Sequence, residues 1–254
     1  MGWTTLISWC ERLPRDVGVI VVAAGRGQRL GGQTAKQYQL IGGIPMVLRA
    51  LRLFTSHPDV MQVVLVLPPE DAAQPPPFLA TLSASTSSAA SRSASPGLTI
   101  VAGGTHRGDS VRAGLAGLHD DCSVVLVHDA ARPFVEPGVI DAVIAYARGG
   151  EGAVPAIPLS DTLKEATAGD STMIRRTHPR ARLWRAQTPQ GFPRRVLEKA
   201  HARAASGGHR ATDDAALVEA IGVPVRLVPD SCRNLKVTTP EDLALAELLA
   251  GNSP

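Results

Sequence analysis

The stretch VVAAGRGQRLGGQTAKQYQLIGG, from Val21 to Gly43, joins the end of an apolar strand to a loop that is rich in glycine. Glycine allows positive φ angles and a close approach of the backbone to a ligand, and N–H groups freed in such a turn form a concavity that suits phosphate oxygens. Arg29 and Lys36 add the positive charge that a polyphosphate needs. We therefore interpret the loop as a phosphate-binding site; the alternative is a flexible surface loop with solvated basic residues. Its glycines are Gly25, Gly27, Gly31 and Gly32.

The loop matches neither of two well-known phosphate-binding motifs. A P-loop requires Gly-x-x-x-x-Gly-Lys-Ser/Thr, and no glycine here precedes a lysine and a hydroxyl residue. The dinucleotide fingerprint Gly-x-Gly-x-x-Gly is broken by Leu30, and no acidic residue follows about 20 positions later to hold a ribose. The sequence therefore argues against both a P-loop protein and a dehydrogenase.

The composition is that of a globular protein with a substantial core. The 254 residues suffice for one sizeable α/β domain or at most two small ones. Hydrophobic residues make up 44% of the chain and charged residues 19%. The formal net charge is +3 and no basic run is interleaved with aromatic residues, so we expect no nucleic-acid partner.

Cysteine usage and hydropathy favour a cytoplasmic protein. Cys10, Cys122 and Cys232 are widely spaced and form no Cys-x-x-Cys, which suits a reducing compartment and argues against both a disulfide framework and a zinc site. No apolar run approaches the ~18 residues of a membrane span, so we expect no membrane association. The start, MGWTTLISWCERLPRD, lacks the features of a signal peptide and is interpreted as a loosely attached tail over residues 1–16.

Short β-branched runs alternate with helical patterns over the rest of the chain, which predicts a mostly parallel sheet flanked by helices. Proline at the first helical position explains two helix starts, at Pro45 and Pro137. Thr212 is predicted to cap a third helix, and Thr239 with Asp242 is predicted to form a capping box for the last one. The predicted strands are Val17–Ala23, Gln62–Leu67, Leu98–Val101, Ser123–Val127, Gly152–Ile157 and Val225–Val228.

Two segments differ from the rest of the predicted domain, which covers residues 17–254. Residues 68–97 are rich in Pro, Ser and Ala and are expected to be a mobile excursion between two strands. Residues from about 158 to 184 form polar, β-capable runs around a turn at Ala168–Gly169–Asp170, which predicts a hairpin arm. Such an arm has little to pack against in a monomer, which suggests a partner subunit.

VVLVHDAARPF places His128, Asp129 and Arg132 just past an apolar strand. Ligands bind at the carboxyl ends of strands in open α/β sheets, so Asp129 is expected in the same crevice as the glycine loop. A carboxylate that faces a polyphosphate predicts a divalent cation between them. The alternative is a structural ion pair between Asp129 and Arg132, and we interpret His128 as structural.

Two further stretches carry polar groups for which a structural role is the simplest interpretation. VAGGTHRGDSV has a glycine turn at Gly103–Gly104 and then Asp109 and Ser110 at a helix start, where self-capping is the simplest explanation. NLKVTTPEDL places Asn234 and Lys236 on a predicted short strand, where a solvated edge residue is the usual interpretation of the lysine.

Taken together, the motifs resemble the 2-C-methyl-D-erythritol 4-phosphate cytidylyltransferases of the non-mevalonate isoprenoid pathway. The resemblance spans about Val17 to Leu249 and implies a Rossmann-like nucleotidyltransferase fold with a protruding β-hairpin arm for dimerisation. The ordered motifs are AAGRGQRLGGQTAKQY, GGTHRGDSV, VHDAARP, DTLK, RLWRAQTPQGF, TDDAALVE and NLKVTTPEDLALAE. The glycine loop then resembles the triphosphate cradle of such an enzyme.

The resemblance also implies a reaction and a set of site residues. CMP would pass from CTP to 2-C-methyl-D-erythritol 4-phosphate with release of pyrophosphate, and Arg29, Lys36 and Lys236 would be the catalytic residues. Asp129 would bind Mg²⁺ or another divalent cation. The residues implied to bind CTP are Ala23, Ala24, Gly25, Gly27, Gly104, Ser110 and Ala130.

The acceptor site is implied to lie between two subunits. Arg132, Thr188 and Thr212 would hold the sugar-alcohol phosphate, and the arm of the neighbouring subunit would add Thr162 and Arg180, which gives a homodimer with exchanged arms. Arg233 stands where some relatives carry an acid, which leaves a second metal carboxylate open.

Two other functions stay open at the level of the sequence. A ribitol-5-phosphate cytidylyltransferase would share the CTP motifs and differ in the acceptor pocket. A non-catalytic nucleotide-binding protein would be expected to lose the basic and acidic site residues, and all of them are present. A fusion to a further enzyme of the pathway is not expected, because the chain ends at Pro254.

Overall fold

The computed structural model describes residues 15–25, 35–79, 96–208 and 211–251. Its strands are β1 (Val17–Val22), β2 (Leu40–Ile41), β3 (Ile44–Pro45), β4 (Val60–Leu67), β5 (Gly97–Ala102), β6 (Val124–Asp129), β7 (Gly152–Pro158), β8 (Leu163–Thr167), β9 (Asp170–His178), β10 (Trp184–Ala186), β11 (Gln190–Pro193) and β12 (Val225–Pro229). Its helices are α1 (Met46–Thr55), α2 (Pro69–Ala73), α3 (Arg107–Ala116), α4 (Pro137–Arg148), α5 (Arg194–Ser206), α6 (Asp214–Glu219) and α7 (Pro240–Gly251).

Eight strands form one mixed sheet in the order β10-β7-β11-β6-β1-β4-β5, and β12 pairs with β7. The half that contains β6, β1, β4 and β5 is parallel throughout. β11 and β10 enter antiparallel, and β11 joins β6 to β7. The predicted α/β fold with a mostly parallel sheet and flanking helices is therefore confirmed.

Apolar residues cover both faces of the sheet because alternate side chains of each strand point to opposite sides. Along β4, Val63 and Leu65 pack in the cluster under α1 and α4, and Val64 and Val66 pack in the cluster under α3, α5 and α6. Strands buried on both faces read as continuous apolar runs, which is why the sequence located them well.

The predicted arm is a two-stranded antiparallel hairpin of β8 and β9. Gly169 lies at its turn with a φ of 94°, in the region that favours glycine. Nearly all of β9 is exposed, and Met173 and Ile174 keep 59% and 60% of their surface accessible. β10 then returns the chain to the edge of the main sheet beside β7.

The structure corrects three local predictions. Lys236 lies in an irregular segment, not on a strand. The cap of α6 is Asp213, whose side chain accepts from the Ala216 amide, and not Thr212. Part of the 68–97 segment belongs to the core, because Leu79 is fully buried and Phe78 packs edge-on against Tyr38.

Of the other predicted helix starts, those of α4 and α7 are confirmed and that of α1 is not. In the capping box of α7, Asp242 Oδ2 accepts from the amides of Thr238 and Thr239, and Thr239 Oγ1 accepts from the Asp242 amide. Pro137 begins α4 as expected, whereas the prediction for Pro45 is wrong by one residue, because Pro45 is the N-cap and α1 begins at Met46. In the part of the chain that the structure covers, no helix combines the length and apolarity needed to span a bilayer.

Candidate active site at the carboxyl edge of the sheet

The ends of β1, β5 and β6 lie along one edge of the sheet, as the parallel pairing requires. Backbone hydrogen bonds continue past the strands: Ala23 donates to Val66, and Gly103 donates to Leu67 at 2.7 Å. The Ala130 amide donates to the Val22 carbonyl at 3.1 Å, which ties the end of β6 to that of β1. The sheet therefore brings the Ala23–Gly25 segment, the Gly103–Gly104 turn and Asp129 to a common edge.

Ala24, Gly103 and Ser110 pack closely together where β1 and β5 end. A Cβ atom at Gly103 would lie 2.4 Å from the Ala24 Cβ and 2.8 Å from the Ser110 Oγ, so only glycine lets these residues meet. Ser110 accepts from the Gly104 amide and donates to the His106 carbonyl. The N-cap of α3 is His106, whose amide donates to Asp109 in a capping box, so Ser110 holds the glycine turn instead of capping the helix.

Asp129 is the acidic centre of this edge. Its Oδ2 lies 2.6 Å from the Lys236 Nζ, and its Oδ1 lies 3.6 Å from the Arg107 Nε. Burial alone would raise the pKa of Asp129, but the charges of Lys236 and Arg107 outweigh it and lower that pKa to about 2. Asp129 therefore stays a carboxylate at neutral pH. The alternative pairing with Arg132 is wrong, because Arg132 donates to the Asn234 carbonyl.

His128 and Thr188 support Asp129 from beneath. The Thr188 Oγ1 accepts from the Asp129 amide at 3.1 Å and lies 3.1 Å from the His128 Nδ1. His128 is fully buried, and its Nε2 contacts the Arg132 carbonyl at 2.9 Å. Burial lowers the pKa of His128 to about 4, so the ring is neutral at physiological pH. These contacts agree with the interpretation of His128 as structural.

The segment that carries Lys236 is held by Asn234, which was predicted to lie on the same short strand but was given no role. The Asn234 Nδ2 donates to the Thr188 carbonyl and to Asp230. The main-chain carbonyl of Asn234 accepts from Arg132 at 2.6 Å and from the Gln187 Nε2 at 2.9 Å. Lys236 therefore reaches Asp129 without any regular secondary structure.

A second acidic residue, Asp214, lies behind the site and was not predicted. Its Oδ2 accepts from the Arg107 Nη1 at 2.7 Å, and its Oδ1 lies 2.9 Å from the His201 Nε2. Gln190 fastens the same turn by donating to Asp213 and accepting from the Asp214 amide. One signal in the sequence was available: Arg107 begins a helix, where the macrodipole disfavours a cation, so it needs another reason to be there.

The remaining predicted site residues fall into three groups. Lys36 begins a 3₁₀ turn over Lys36–Tyr38 and is partly buried. Thr212, Thr162 and Arg180 are exposed, and Arg180 donates to the Ser160 carbonyl at the base of the arm. Arg29 and Gly27 lie outside the described residues, so their predicted roles stay predictions.

No cluster of three or more His, Cys, Asp or Glu side chains suited to a metal occurs among the residues for which the structure gives a placement. Asp129 is thus a lone carboxylate between two cations. A Mg²⁺ ion that also has phosphate oxygens as ligands needs only one or two carboxylates, so this donor set fits a metal bound together with a nucleotide.

Comparison with known proteins decides the family. The sequence model of the 2-C-methyl-D-erythritol 4-phosphate cytidylyltransferases matches residues 17–252. The chain belongs to this family. It is 45% identical to the 2-C-methyl-D-erythritol 4-phosphate cytidylyltransferase of Frankia casuarinae over 234 residues. The aligned region covers 92% of this chain and 80% of that protein.

A second relative and a solved structure agree with this assignment. The chain is 44% identical to a bifunctional IspD/IspF enzyme of Rhodospirillum rubrum, but 92% of this chain corresponds to only 56% of that protein. The crystal structure of the cytidylyltransferase from Thermus thermophilus superposes with a TM-score of 0.74 at 35% identity, over 93% of this chain and 99% of that one.

Proposed function

We propose that the edge formed by Asp129, Lys236 and the Gly103–Gly104 turn is where this chain performs the reaction of its family. As a family member, the chain transfers CMP from CTP to 2-C-methyl-D-erythritol 4-phosphate, giving 4-diphosphocytidyl-2-C-methyl-D-erythritol and pyrophosphate, in isoprenoid precursor biosynthesis. The observation that supports this location is the Lys236–Asp129 pair at 2.6 Å, on the same carboxyl edge of the sheet as the glycine turn.

The chemistry needs positioning and charge stabilisation more than proton transfer. A phosphate oxygen of the acceptor attacks the α-phosphorus of CTP, and the bond from that phosphorus to the bridging oxygen breaks, so that pyrophosphate leaves with the electron pair. The nucleophile is already an anion at neutral pH, so no general base is required. Fixed cations aimed at the phosphates lower the barrier because charge moves there in the transition state.

Lys236 is suited to exchange its ion-pair partner, the Asp129 carboxylate, for a phosphate. Its side chain is 44% exposed and carries a compact ammonium on a flexible stem, in a segment with no regular hydrogen-bond ladder. When a nucleotide is bound, the Lys236 ammonium would turn to the α-phosphate. Arg29 and Lys36 would contact the triphosphate from the glycine loop, as the family resemblance implies.

Asp129 is the proposed ligand of Mg²⁺, although another divalent cation would serve the same purpose. Such an ion neutralises part of the negative charge of the triphosphate. Asp129 is fit for this because its carboxylate is ionised, stands at the strand end and is 13% exposed. Its two present partners are side-chain cations, and Lys236 is the more exposed of them.

The segment where Ala24, Gly103 and Ser110 meet is the proposed cytosine site. A small site with backbone N–H and C=O groups at fixed positions would accept a pyrimidine and exclude a purine. The residues proposed to enclose the base and ribose are Ala23, Ala24, Gly25, Gly27, Gly104, Ser110 and Ala130.

The acceptor is proposed to bind on the other side of Asp129. Arg132, Thr188 and Thr212 come from this subunit, and Thr162 and Arg180 come from the arm of a second copy. Support for exchange comes from the exposure of both arm residues and of the apolar side chains of β9. We therefore propose a homodimer with composite sites, located in the cytoplasm.

A pyrophosphate-release assay tests the function directly. Purified full-length chain with CTP and Mg²⁺ is expected to release pyrophosphate with 2-C-methyl-D-erythritol 4-phosphate and not with ribitol 5-phosphate. Turnover with ribitol 5-phosphate would favour the alternative acceptor. CTP binding without release with either acceptor would indicate a non-catalytic nucleotide-binding protein. The Asp129→Asn variant, tested alongside, shows whether the release depends on the proposed site.

A further inference from the structure

Five ionisable groups lie in a row from the cleft to the interior. Lys236 contacts Asp129 at 2.6 Å, and the opposite oxygen of Asp129 lies 3.6 Å from the Arg107 Nε. Arg107 contacts Asp214 at 2.7 Å, and the side chain of Asp214 is only 1% exposed. His201, 2% exposed, lies 2.9 Å from the second oxygen of Asp214 and ends the row.

The two cations beside Asp129 differ in how firmly they are held. Lys236 is the more exposed, at 44%, and its only ion pair among the described residues is with Asp129. Arg107 is 28% exposed and is anchored on a buried carboxylate through a short, charge-assisted hydrogen bond. Removing one partner of a buried pair is strongly unfavourable, so Arg107 cannot leave Asp214 as Lys236 can leave Asp129.

Arg107 also occupies a position that local structure does not favour. It is the first residue of α3, and a cation at a helix N-terminus opposes the macrodipole. A guanidinium is required there because its planar fork can address two carboxylates at once, with the Nε toward Asp129 and the Nη1 toward Asp214. A lysine at this position could neutralise Asp214 but could not span both carboxylates.

We infer that Arg107 is a positioning residue: anchored on Asp214, it holds the Asp129 carboxylate in place when Lys236 leaves that carboxylate for a phosphate of the nucleotide. This inference rests on the proposed function, in which Lys236 exchanges partners. In this arrangement Arg107 is the fixed cation beside Asp129 and Lys236 is the exchangeable one. The buried Asp214–His201 pair holds Arg107 and, through it, Asp129.

The location of Asp214 links the two substrate sides. Asp214 begins α6 immediately after Asp213 and two residues after Thr212, the proposed acceptor contact. Gln190 of β11 fastens this turn through both aspartates. Arg107, from its side, begins the helix whose Ser110 holds the Gly103–Gly104 turn. A displacement of Arg107 would therefore disturb Asp129 first, while the hydrogen bonds of Gln190 keep the turn next to Thr212 in place.

Two substitutions separate positioning from folding. Arg107→Lys keeps a cation for Asp214, so its unfolding midpoint in urea should stay close to that of the wild type. Its kcat should fall by about ten- to a hundredfold, the range seen when an outer partner of a ligating group is removed. The KM for the acceptor should change less than threefold. Arg107→Gln combined with Asp214→Asn removes both buried charges together and should show the same loss in kcat.

The control is Arg112→Gln on the same helix, because Arg112 pairs with Asp109 on the surface at 40% exposure. It should leave kcat unchanged. Wild-type kcat in folded Arg107→Lys would overturn the inference, as would a crystal structure with CTP and Mg²⁺ in which Lys236 stays on Asp129 or Arg107 has left it. A CTP complex with Arg107 on Asp129 and Lys236 on a phosphate would support it.

Failure of the proposed function gives a different result. If the Lys236→Ala and Asp129→Asn variants keep full activity, the proposed site itself is wrong. If both lose activity while Arg107→Lys keeps it, the site is right and only the positioning role of Arg107 is wrong.

Discussion

Lys236 Nζ lies 2.6 Å from Asp129 Oδ2, although 107 positions separate the two residues in the chain. One residue ends a buried central strand, and the other lies in an irregular segment that Asn234 fastens to the Thr188 carbonyl. The pair is therefore a product of the tertiary fold. The pair keeps Asp129 ionised and holds the Lys236 ammonium at the edge where phosphates are proposed to bind.

The first prediction concerns Lys236. The Lys236→Ala variant should lose about 10²–10³-fold in kcat, because a fixed cation that meets the transition-state charge is removed. The KM for the acceptor should change far less. Steady-state kinetics with varied CTP and varied acceptor measures both constants. Lys199→Ala, an exposed lysine on α5, is the matched control and should behave as the wild type. A Lys236→Ala variant with most of its kcat would remove this residue from the catalytic set.

The second prediction concerns the metal. Asp129→Asn should lower kcat and raise the Mg²⁺ concentration needed for half-maximal rate, because a neutral amide is a weaker ligand than a carboxylate. Lys236 would also lose its ion pair in this variant. Titration of Mg²⁺ in the pyrophosphate-release assay measures the shift. Full wild-type activity in excess chelator would show that no divalent cation is needed.

Much of the fold could be predicted from the sequence because its signals are local. The central strands are continuous apolar runs, and the Thr239–Asp242 box marks the start of α7 through contacts within one turn. Contacts between residues far apart in the chain have no such local signal in the sequence. Nothing near Lys236 in the chain indicates Asp129 as its partner, and Arg107 had no assigned role until Asp214 was seen behind it.

The same limit explains the local errors. The cap of α6 falls on Asp213, and Gln190 from β11 holds the other oxygen of that carboxylate, a preference that a scan of one helix start cannot detect. The segment after β4 reads as polar and low in complexity, yet Leu79 within it is fully buried. Leu79 and the edge-on contact of Phe78 with Tyr38 both connect this stretch to the rest of the fold, and neither contact is visible in the local composition.

The third prediction concerns stability and pH at α7. Burial alone would raise the pKa of Asp242, but hydrogen bonds from Thr238 and Thr239 outweigh it and lower that pKa. A group with a depressed pKa stabilises the fold above its unfolded pKa of about 3.9 and loses that effect as the pH falls. Asp242→Ala should therefore lower the free energy of unfolding by about 1 kcal/mol at pH 7, as loss of a helix cap does.

Urea unfolding of both proteins between pH 7 and pH 3 measures this difference. It should stay constant down to about pH 5 and shrink below about pH 4, where the unfolded carboxylate takes up a proton. Asp120→Ala is the control, since that carboxylate is fully exposed and its ion pair with Arg194 is long, at 3.7 Å. A difference that stays unchanged at pH 3 would show that the hydrogen bonds do not depend on ionised Asp242.

The last prediction concerns assembly. Arg180 and Thr162 are exposed at the base of the arm, and β9 exposes Met173 and Ile174, so the arm is expected to pack on a second copy. If Arg180 serves the neighbouring site, Arg180→Ala should abolish acceptor turnover while CTP binding, measured by calorimetry, stays near the wild-type value. Lys36→Ala should also be inactive, because Lys36 serves the site of its own subunit.

Heterodimers purified through two different tags distinguish the two geometries. When one chain carries Arg180→Ala and the other Lys36→Ala, exchanged arms leave one site with both defects and the other with none, so about half of the wild-type activity should return. The reciprocal control pairs a chain that carries both substitutions with a wild-type chain. With exchanged arms each site then has one defect and activity is absent, whereas arms that serve their own subunit would reverse both results.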